Sequence, residues 1–293
     1  MVELLLYGII GAVLAFLLFT LLVFLKMTNP PRKEVYEWTP EKSGYEYTDF
    51  ATASKDGTKL YGWHIKGGGK GLIIVAHGYT ENMGNGSYVR KAIEGMLSKG
   101  FDVVAFDFRG HGRSGDAPST VGPREAEDII AIIDWAEKKL GAEKVALIGY
   151  SMGAMASIIA STMDDRVAVV VADSPPPGLP QAIVRGLKVF AGLPGELASF
   201  IKLWARLLYK VNPNNYVMWD LAAKTKAALM VVVGTKDPFI SVDEAQRIVE
   251  AAKKAGVPAE LFVVDGVGHV ETVKHPEYIE RIAAFIEKNL AAK

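Results

Sequence analysis

The chain contains no cysteine, which excludes disulfides, thiolate metal sites and cysteine nucleophiles. It also has no net charge, with 33 basic residues balancing 33 acidic ones and no basic run or basic stripe interleaved with aromatics. Nucleic acid is therefore not an expected partner. No period of 20–50 residues repeats and no low-complexity tract occurs, so repeat architectures are excluded. No H-E-x-x-H, Walker or dinucleotide glycine pattern stands in the right context, and neither a metal nor an organic cofactor is expected. Glutamine is scarce, at two residues. Beside abundant Lys and Glu and no cysteine, that scarcity fits a protein selected for heat resistance.

What the chain does have begins with Leu4 to Leu25, a continuous apolar run of 22 residues without a charge. As a helix it spans about 33 Å, against a bilayer core of about 30 Å. A cleaved signal peptide is the competing reading. Glu3 stands where a basic n-region would be, the run is longer than a usual h-region, and no small-residue cleavage site follows, so an uncleaved anchor over residues 1–27 is the expectation. Lys26, Arg32 and Lys33 follow the helix while only Glu3 precedes it, which places the rest of the chain on the cytoplasmic side. Gly8, Gly11, Ala12 and Ala15 offer a small-residue face, too common in membrane helices to imply dimerisation.

Thr28-Asn29-Pro30-Pro31 ends this helix, because proline cannot continue the hydrogen-bond ladder, and opens a linker expected over residues 28–44. From Tyr45 the chain reads as one domain to its end, residues 45–293. Tyr45 to Ala53 and Leu60 to Ile65 alternate around Asp56-Gly57, a hairpin signal. Short apolar runs follow at Leu72–Ala76, Val103–Phe106, Val145–Ile148, Val167–Ala172, Leu229–Val233 and Leu261–Val264, of a length suited to buried parallel strands. Helical patterns lie between them. The alternation predicts an α/β fold with a mostly parallel sheet, helices on both faces, and a site at the carboxyl ends of the strands.

One connection, residues 175–220, is long. Leu197, Phe200, Ile201, Trp204, Leu207 and Leu208 fall on one helical face there, with Lys202, Arg206 and Lys210 off it. As an inserted cap this segment would use Phe200, Trp204 and Leu208 to line a substrate site; as padding it would bury them in the core.

The chemistry centres on Gly149-Tyr150-Ser151-Met152-Gly153, between an apolar strand run and a small-residue helical run. A serine on such a turn projects its hydroxyl outward, flanking glycines let backbone pass closely, and the following helix N-terminus favours developing negative charge. With 29 glycines and 12 serines in 293 residues, chance supplies about 0.1 such pentapeptides. An activated serine needs a base and a group that orients the base. Of five histidines, His64 and His111 read as structural and His275 as solvated, whereas His269 lies in a Gly-rich loop after the last strand run. Asp237, in Gly234-Thr235-Lys236-Asp237-Pro238, also follows a strand and is the favoured acid. Asp173 is the rival.

The order Ser151, Asp237, His269, each after the expected strand, resembles the α/β-hydrolase superfamily over Tyr45 to Leu290. His77-Gly78-Tyr79-Thr80 resembles the family's His-Gly turn. The resemblance implies that the backbone N–H groups of Tyr79 and Met152 form an oxyanion hole, although the turn departs from the HGGG form of some esterases. Asp107 to Ser114 resembles a family turn read as scaffold. The activity implied is acyl transfer by a membrane-anchored serine esterase on carboxylic esters of lipid-like alcohols, similar to monoacylglycerol lipases and lysophospholipases. A thioesterase or peptidase would use the same three residues. An epoxide hydrolase or dehalogenase would need an aspartate where Ser151 stands, and a catalytically silent membrane-tethered scaffold would leave the three unused.

Overall fold

A computed structural model describes residues 1–290. Helix α1 (Val2–Thr28) leads into β1 (Tyr47–Ala53) and β2 (Lys59–Ile65), an antiparallel hairpin. Then come β3 (Leu72–Ala76), α2 (Tyr88–Ser98), β4 (Asp102–Phe106), α3 (Pro123–Leu140), β5 (Val145–Tyr150), α4 (Met152–Ala160) and β6 (Val167–Asp173). Three helices, α5 (Leu179–Ala191), α6 (Ala198–Tyr209) and α7 (Met218–Ala222), precede β7 (Ala228–Gly234), α8 (Val242–Lys254), β8 (Ala259–Val264) and α9 (Tyr278–Leu290). The strands form one sheet in the order β1-β2-β4-β3-β5-β6-β7-β8, parallel from β4 through β8.

The two-residue period of β3 shows how the sheet is buried on both faces. Leu72, Ile74 and Ala76 join a core with α3, α4 and α8, while Ile73 and Val75 join a second core with α2 and α9. Helix starts are specified locally where they can be. At α8 the Ser241 hydroxyl accepts from the Glu244 backbone N–H at 3.2 Å and the Glu244 carboxylate accepts from the Ser241 N–H at 2.9 Å, satisfying two donors that the helix leaves open.

The linker expected over residues 28–44 is not one. Trp38 is buried and its backbone N–H donates to the Gly84 carbonyl at 2.9 Å. Arg32 donates to the Gly112 carbonyl at 3.0 Å, Asn82 donates to the carbonyls of Lys33 and Val35, and Tyr36 donates its hydroxyl to Asp107. Prolines stop the helix but do not free the chain. The aromatic residues beyond them have apolar area to bury, and they bury it on the body of the domain.

The boundary expected for an anchor over residues 1–27 shifts for the same reason. Thr20, Phe24 and Thr28 are buried, the Ser119 N–H donates to the Thr28 carbonyl at 2.7 Å, and the Tyr79 hydroxyl donates to the Met27 carbonyl at 2.7 Å. The last turns of α1 belong to the packed body, and only the N-terminal part projects.

Candidate active site

Ser151 sits between β5 and α4 with φ 52°, ψ −111°, in the left-handed region that disfavours side chains. Among the described residues, five of the six non-glycine residues with positive φ lie in loops at the carboxyl ends of strands: Thr80, Val121, Ser151, Ser174 and Val270. Strain is concentrated where the surrounding structure holds it in place. The flanking glycines have steric reasons. A Cβ on Gly149 would meet the Ser157 hydroxyl at 2.6 Å, and a Cβ on Gly153 would meet the His77 carbonyl oxygen at 2.6 Å. The Ser151 N–H donates to the Asp173 carbonyl at 2.9 Å, tying the turn to β6.

The loops after β7 and β8 bring two further side chains to this turn. His269 Nε2 lies 2.8 Å from Ser151 Oγ, and Nδ1 lies 2.8 Å and 3.0 Å from the two Asp237 carboxylate oxygens. A carboxylate only accepts, so Nδ1 carries the proton toward Asp237 and Nε2 is left to accept from the serine hydroxyl. The Asp237 carboxylate is shielded from solvent and also accepts the Phe239 N–H at 2.8 Å, which fixes its plane. The Phe239 ring packs on the imidazole with centroids 4.7 Å apart.

Asp173 does not reach the imidazole. Its carboxylate accepts from the hydroxyls of Thr272, Tyr278 (2.8 Å) and Ser174 (3.0 Å), and burial pushes its pKa up to about 6 against those bonds. Its role is to brace the β6 end beneath the loop that carries His269. The Ser174 hydroxyl continues the brace by accepting the Val270 N–H at 3.1 Å.

The turn after β3 approaches Ser151 from the other side, where a Cβ on Gly78 would lie 3.6 Å from the serine Cβ. Two imidazoles hold this turn. His77 donates from Nδ1 to the Gly78 carbonyl at 2.7 Å and accepts the Phe108 N–H on Nε2 at 3.1 Å; His111 donates to the Arg109 carbonyl and accepts the Thr80 N–H at 3.2 Å. Both rings must be neutral to accept. Burial, and then the nearby His111, pushes His77 down to about 3; burial likewise lowers His111. Tyr88 completes the frame by accepting the Gly78 N–H at 3.1 Å. These positioning residues are not evident from residue order. The signals in the sequence are the His-Gly turn at His77 and the turn around His111 read as scaffold, neither of which shows that the two rings hold the loop.

The scaffold turn 107–114 is itself anchored. Asp107 accepts the N–H groups of Met83 and Arg113, each at 2.8 Å, and a Cβ on Gly112, whose φ is +46°, would fall on the Asp107 carboxylate. Fully buried Arg109 is paired with buried Asp128 at 2.6 Å and with Asp56 at 2.7 Å.

Over the site lies α5. Its Phe190 stacks on Phe239 at 5.5 Å and packs near Tyr79, and Arg185 bonds the Phe239 carbonyl and Glu244. The substrate-lining assignment of Phe200, Trp204 and Leu208 is corrected by the position of α6. Phe200 packs edge-on against Phe16 of α1 at 4.9 Å, Trp204 donates its indole N–H to Thr20 at 3.1 Å, and Leu208 is half exposed. From the same helix it is Ile201 and Ala205 that line an apolar cavity of about 50 Å³, closed by Phe24 and Met27 of α1 and by Leu179 and Ile183 of α5. The apolar stripe is not a single face, because α6 is apolar around most of its circumference. A larger cleft of about 430 Å³, lined by Lys55, Arg124, Glu127 and Lys210, contains none of Ser151, Asp237 and His269. Among the described residues no group of three or more metal-ligating side chains is assembled.

A parallel sheet opened by a hairpin, a serine on a strained strand-to-helix turn and a histidine and aspartate from the last two parallel strands define an α/β hydrolase. The chain belongs to that family, whose model, described as alpha/beta hydrolase fold, matches residues 71–225. Residues 205–293 match the prolyl oligopeptidase family. Among solved structures, esterase Pf2001 of Pyrococcus furiosus is 34% identical, covers 89% of this chain and 99% of its own, and superposes with a TM-score of 0.75. Acylaminoacyl peptidase of Pyrococcus horikoshii shares the fold at 19% identity and a TM-score of 0.64, over 84% of this chain and 42% of its own. Human protein ABHD12B is 24% identical over 75% of this chain, which spans 61% of that relative's length.

Proposed function

We propose that the protein is a membrane-anchored serine carboxylesterase that cleaves esters of lipid-like alcohols through an acyl-enzyme on Ser151. The observation that carries this reading is the continuous relay from Ser151 Oγ through His269 to Asp237, each step at 2.8 Å. In the first half-reaction Ser151 Oγ attacks the ester carbonyl while its proton passes to His269 Nε2. Asp237 holds the tautomer and stabilises the imidazolium. The oxyanion of the tetrahedral intermediate falls to the Tyr79 and Met152 N–H groups, the second at the N-terminus of α4. Collapse expels the alcohol, which takes the proton from His269, and water activated by the same imidazole releases the acid. Likeness to an esterase at 34% identity supports ester over other acyl substrates.

A second reading, cleavage of amides, is favoured by the prolyl oligopeptidase match, which spans both Asp237 and His269. Fluorophosphonate labelling of Ser151, followed by p-nitrophenyl esters of rising chain length beside acyl-CoA and peptide anilides, decides among ester, thioester and amide. Absence of labelling on folded protein overturns the enzyme reading and leaves a silent scaffold. The apolar, uncharged length of α1 supports a bilayer anchor, and Lys26, Arg32 and Lys33 after it support a cytoplasmic catalytic domain. Protease digestion of the domain from outside intact cells would refute that orientation. A thermal melt measures the heat resistance that the composition suggests.

A further inference from the structure

The second half of α1 is covered along one face by the cap, so a spanning α1 brings part of the cap to the bilayer with it. From Phe16 onward it lies alongside α6. Phe16 packs on Phe200, Thr20 accepts from Trp204, Phe24 packs on Tyr209 at 5.0 Å, and the Thr28 hydroxyl bonds the Tyr209 hydroxyl at 2.9 Å. Contacts advance in the same direction on both helices, so the two run parallel and side by side. The free part, Val2 to Ala15, amounts to 14 residues, about 21 Å at 1.5 Å per residue against a hydrocarbon core of about 30 Å. A spanning α1 therefore carries the N-terminal turns of α6, which run alongside it, about 9 Å into the hydrocarbon layer.

The outer surface of the cap is built for that position. Val189 and Phe190 at the end of α5, with Leu203, Leu207 and Leu208 on α6, are between 41% and 67% exposed. Exposed large apolar side chains gathered on two neighbouring helices mark an interaction site. Residues 178–215 contain Arg185, Lys188, Lys202, Arg206 and Lys210 but a single acid, Glu196, in a chain whose charges otherwise cancel. Arg185 is taken up by Glu244 at 2.8 Å, while Lys188, Arg206 and Lys210 are exposed. Long cationic side chains can keep their stems in the apolar layer and their heads among phosphates.

We propose that α5 and α6 form a membrane-embedded element, with Val189, Phe190, Leu203 and Leu207 seated in one leaflet of an anionic-lipid bilayer beside α1. The proposal rests on the reading of α1 as an anchor. It deepens the ester assignment, because Phe190 of the same element stacks on Phe239, which packs on the His269 imidazole, so the embedded surface adjoins the catalytic residues.

The absence of cysteine makes the test direct, since each introduced thiol is the sole attachment point. Nitroxide labels on Ile10→Cys, Phe190→Cys, Leu207→Cys and Lys138→Cys would be compared in the full chain reconstituted in vesicles of phosphatidylcholine and phosphatidylglycerol. Circular dichroism and a thermal melt check the fold of each variant. Relaxation by dissolved oxygen relative to a water-soluble nickel chelate reports depth. The expected result is a several-fold higher oxygen-to-nickel ratio at positions 190 and 207 than at 138, with position 10 deeper than both. Labels at 190 and 207 as nickel-accessible as 138, with position 10 in lipid, would overturn the proposal while sparing the anchor. Nickel access at position 10 as well would remove the anchor reading and the proposal with it.

Discussion

The two halves of the active-site end are held by different forces. The loops after β3, β5, β7 and β8 are fixed by hydrogen bonds among buried groups, His77, His111, Asp173 and Asp237 among them, in which nearly every donor has a named acceptor. The cap and α1 are held largely by apolar and aromatic contacts, supplemented by side-chain hydrogen bonds such as Trp204 to Thr20, and leave large apolar side chains exposed. Hydrogen-bonded geometry is directional and indifferent to what surrounds the body. Apolar packing is not directional, and its energy depends on whether the outer face meets water or lipid. Chemistry is therefore expected to be a property of the rigid half, and access to it a property of the half that responds to its surroundings.

The sharpest way to break this division is to remove the chemistry while leaving the fold. Ser151→Ala should lower turnover by a factor on the order of 10⁶, as for a comparable hydrolase losing its nucleophile, with an unchanged melting temperature and lost fluorophosphonate labelling. His269→Ala should be similar. A smaller loss, about 10⁴, is expected for Asp237→Asn, which keeps the geometry and misplaces the imidazole proton. Asp173→Asn should keep turnover close to wild type and lower stability instead, because Asp173 braces the loop without touching the imidazole. Reversed outcomes at 237 and 173 would reassign the acid.

The soft half breaks through packing. Phe24→Ala should cost about 3 kcal/mol in detergent denaturation, since the ring is buried between α6 and the body. Deleting residues 1–15 should leave a folded, active enzyme, whereas deleting residues 1–29 should lower stability sharply. Equal stability of the two truncations would return α1 to a simple tether. A weaker effect, about 1 kcal/mol, is expected when Trp204→Phe removes the bond to Thr20. The smallest expected signal is an absence of change. With its pKa held down at about 3, the His77 ring should show neutral nitrogen shifts in NMR from about pH 8 to about pH 5. Because the folded value lies below the ordinary one, the ring's contribution to stability is complete above about pH 6.5 and is lost as pH falls toward about 3. Titration near pH 6.5 would mean that the turn after β3 is not held by a neutral ring.

Much of this could be read from residue order. Each of the eight strands lies within two residues of an alternating or apolar run, and the parallel ones stand out because a strand buried on both faces has no polar position to hide it. Gly149 and Gly153 announced a tight crossing that only absent side chains permit. Other features were closed to a linear reading. Residues 28–44 looked like a linker because prolines open them, although Tyr36 and Trp38 inside them were a sign of apolar area needing cover. The stripe on α6 said that faces were buried, but not that Phe200 and Trp204 would meet α1 while Ile201 and Ala205 turned to the cavity. His77 stood in a His-Gly turn and His111 in a turn read as scaffold, but nothing in their order said that each ring would accept a backbone N–H from the other's neighbourhood.

Local chemistry was enough to determine the strand and helix alternation, the strained serine turn and the apolar helix, since each depends on side chains a few positions apart. Tertiary structure alone decided which carboxylate met His269, which histidines braced the turn after β3, and how much of α1 was left free to enter a membrane. Those outcomes depend on distances between segments that lie far apart in the chain, as Asp237, His269 and Ser151 do. Such distances are set by the register of the parallel sheet and by competition among several apolar faces of similar strength for the same partners.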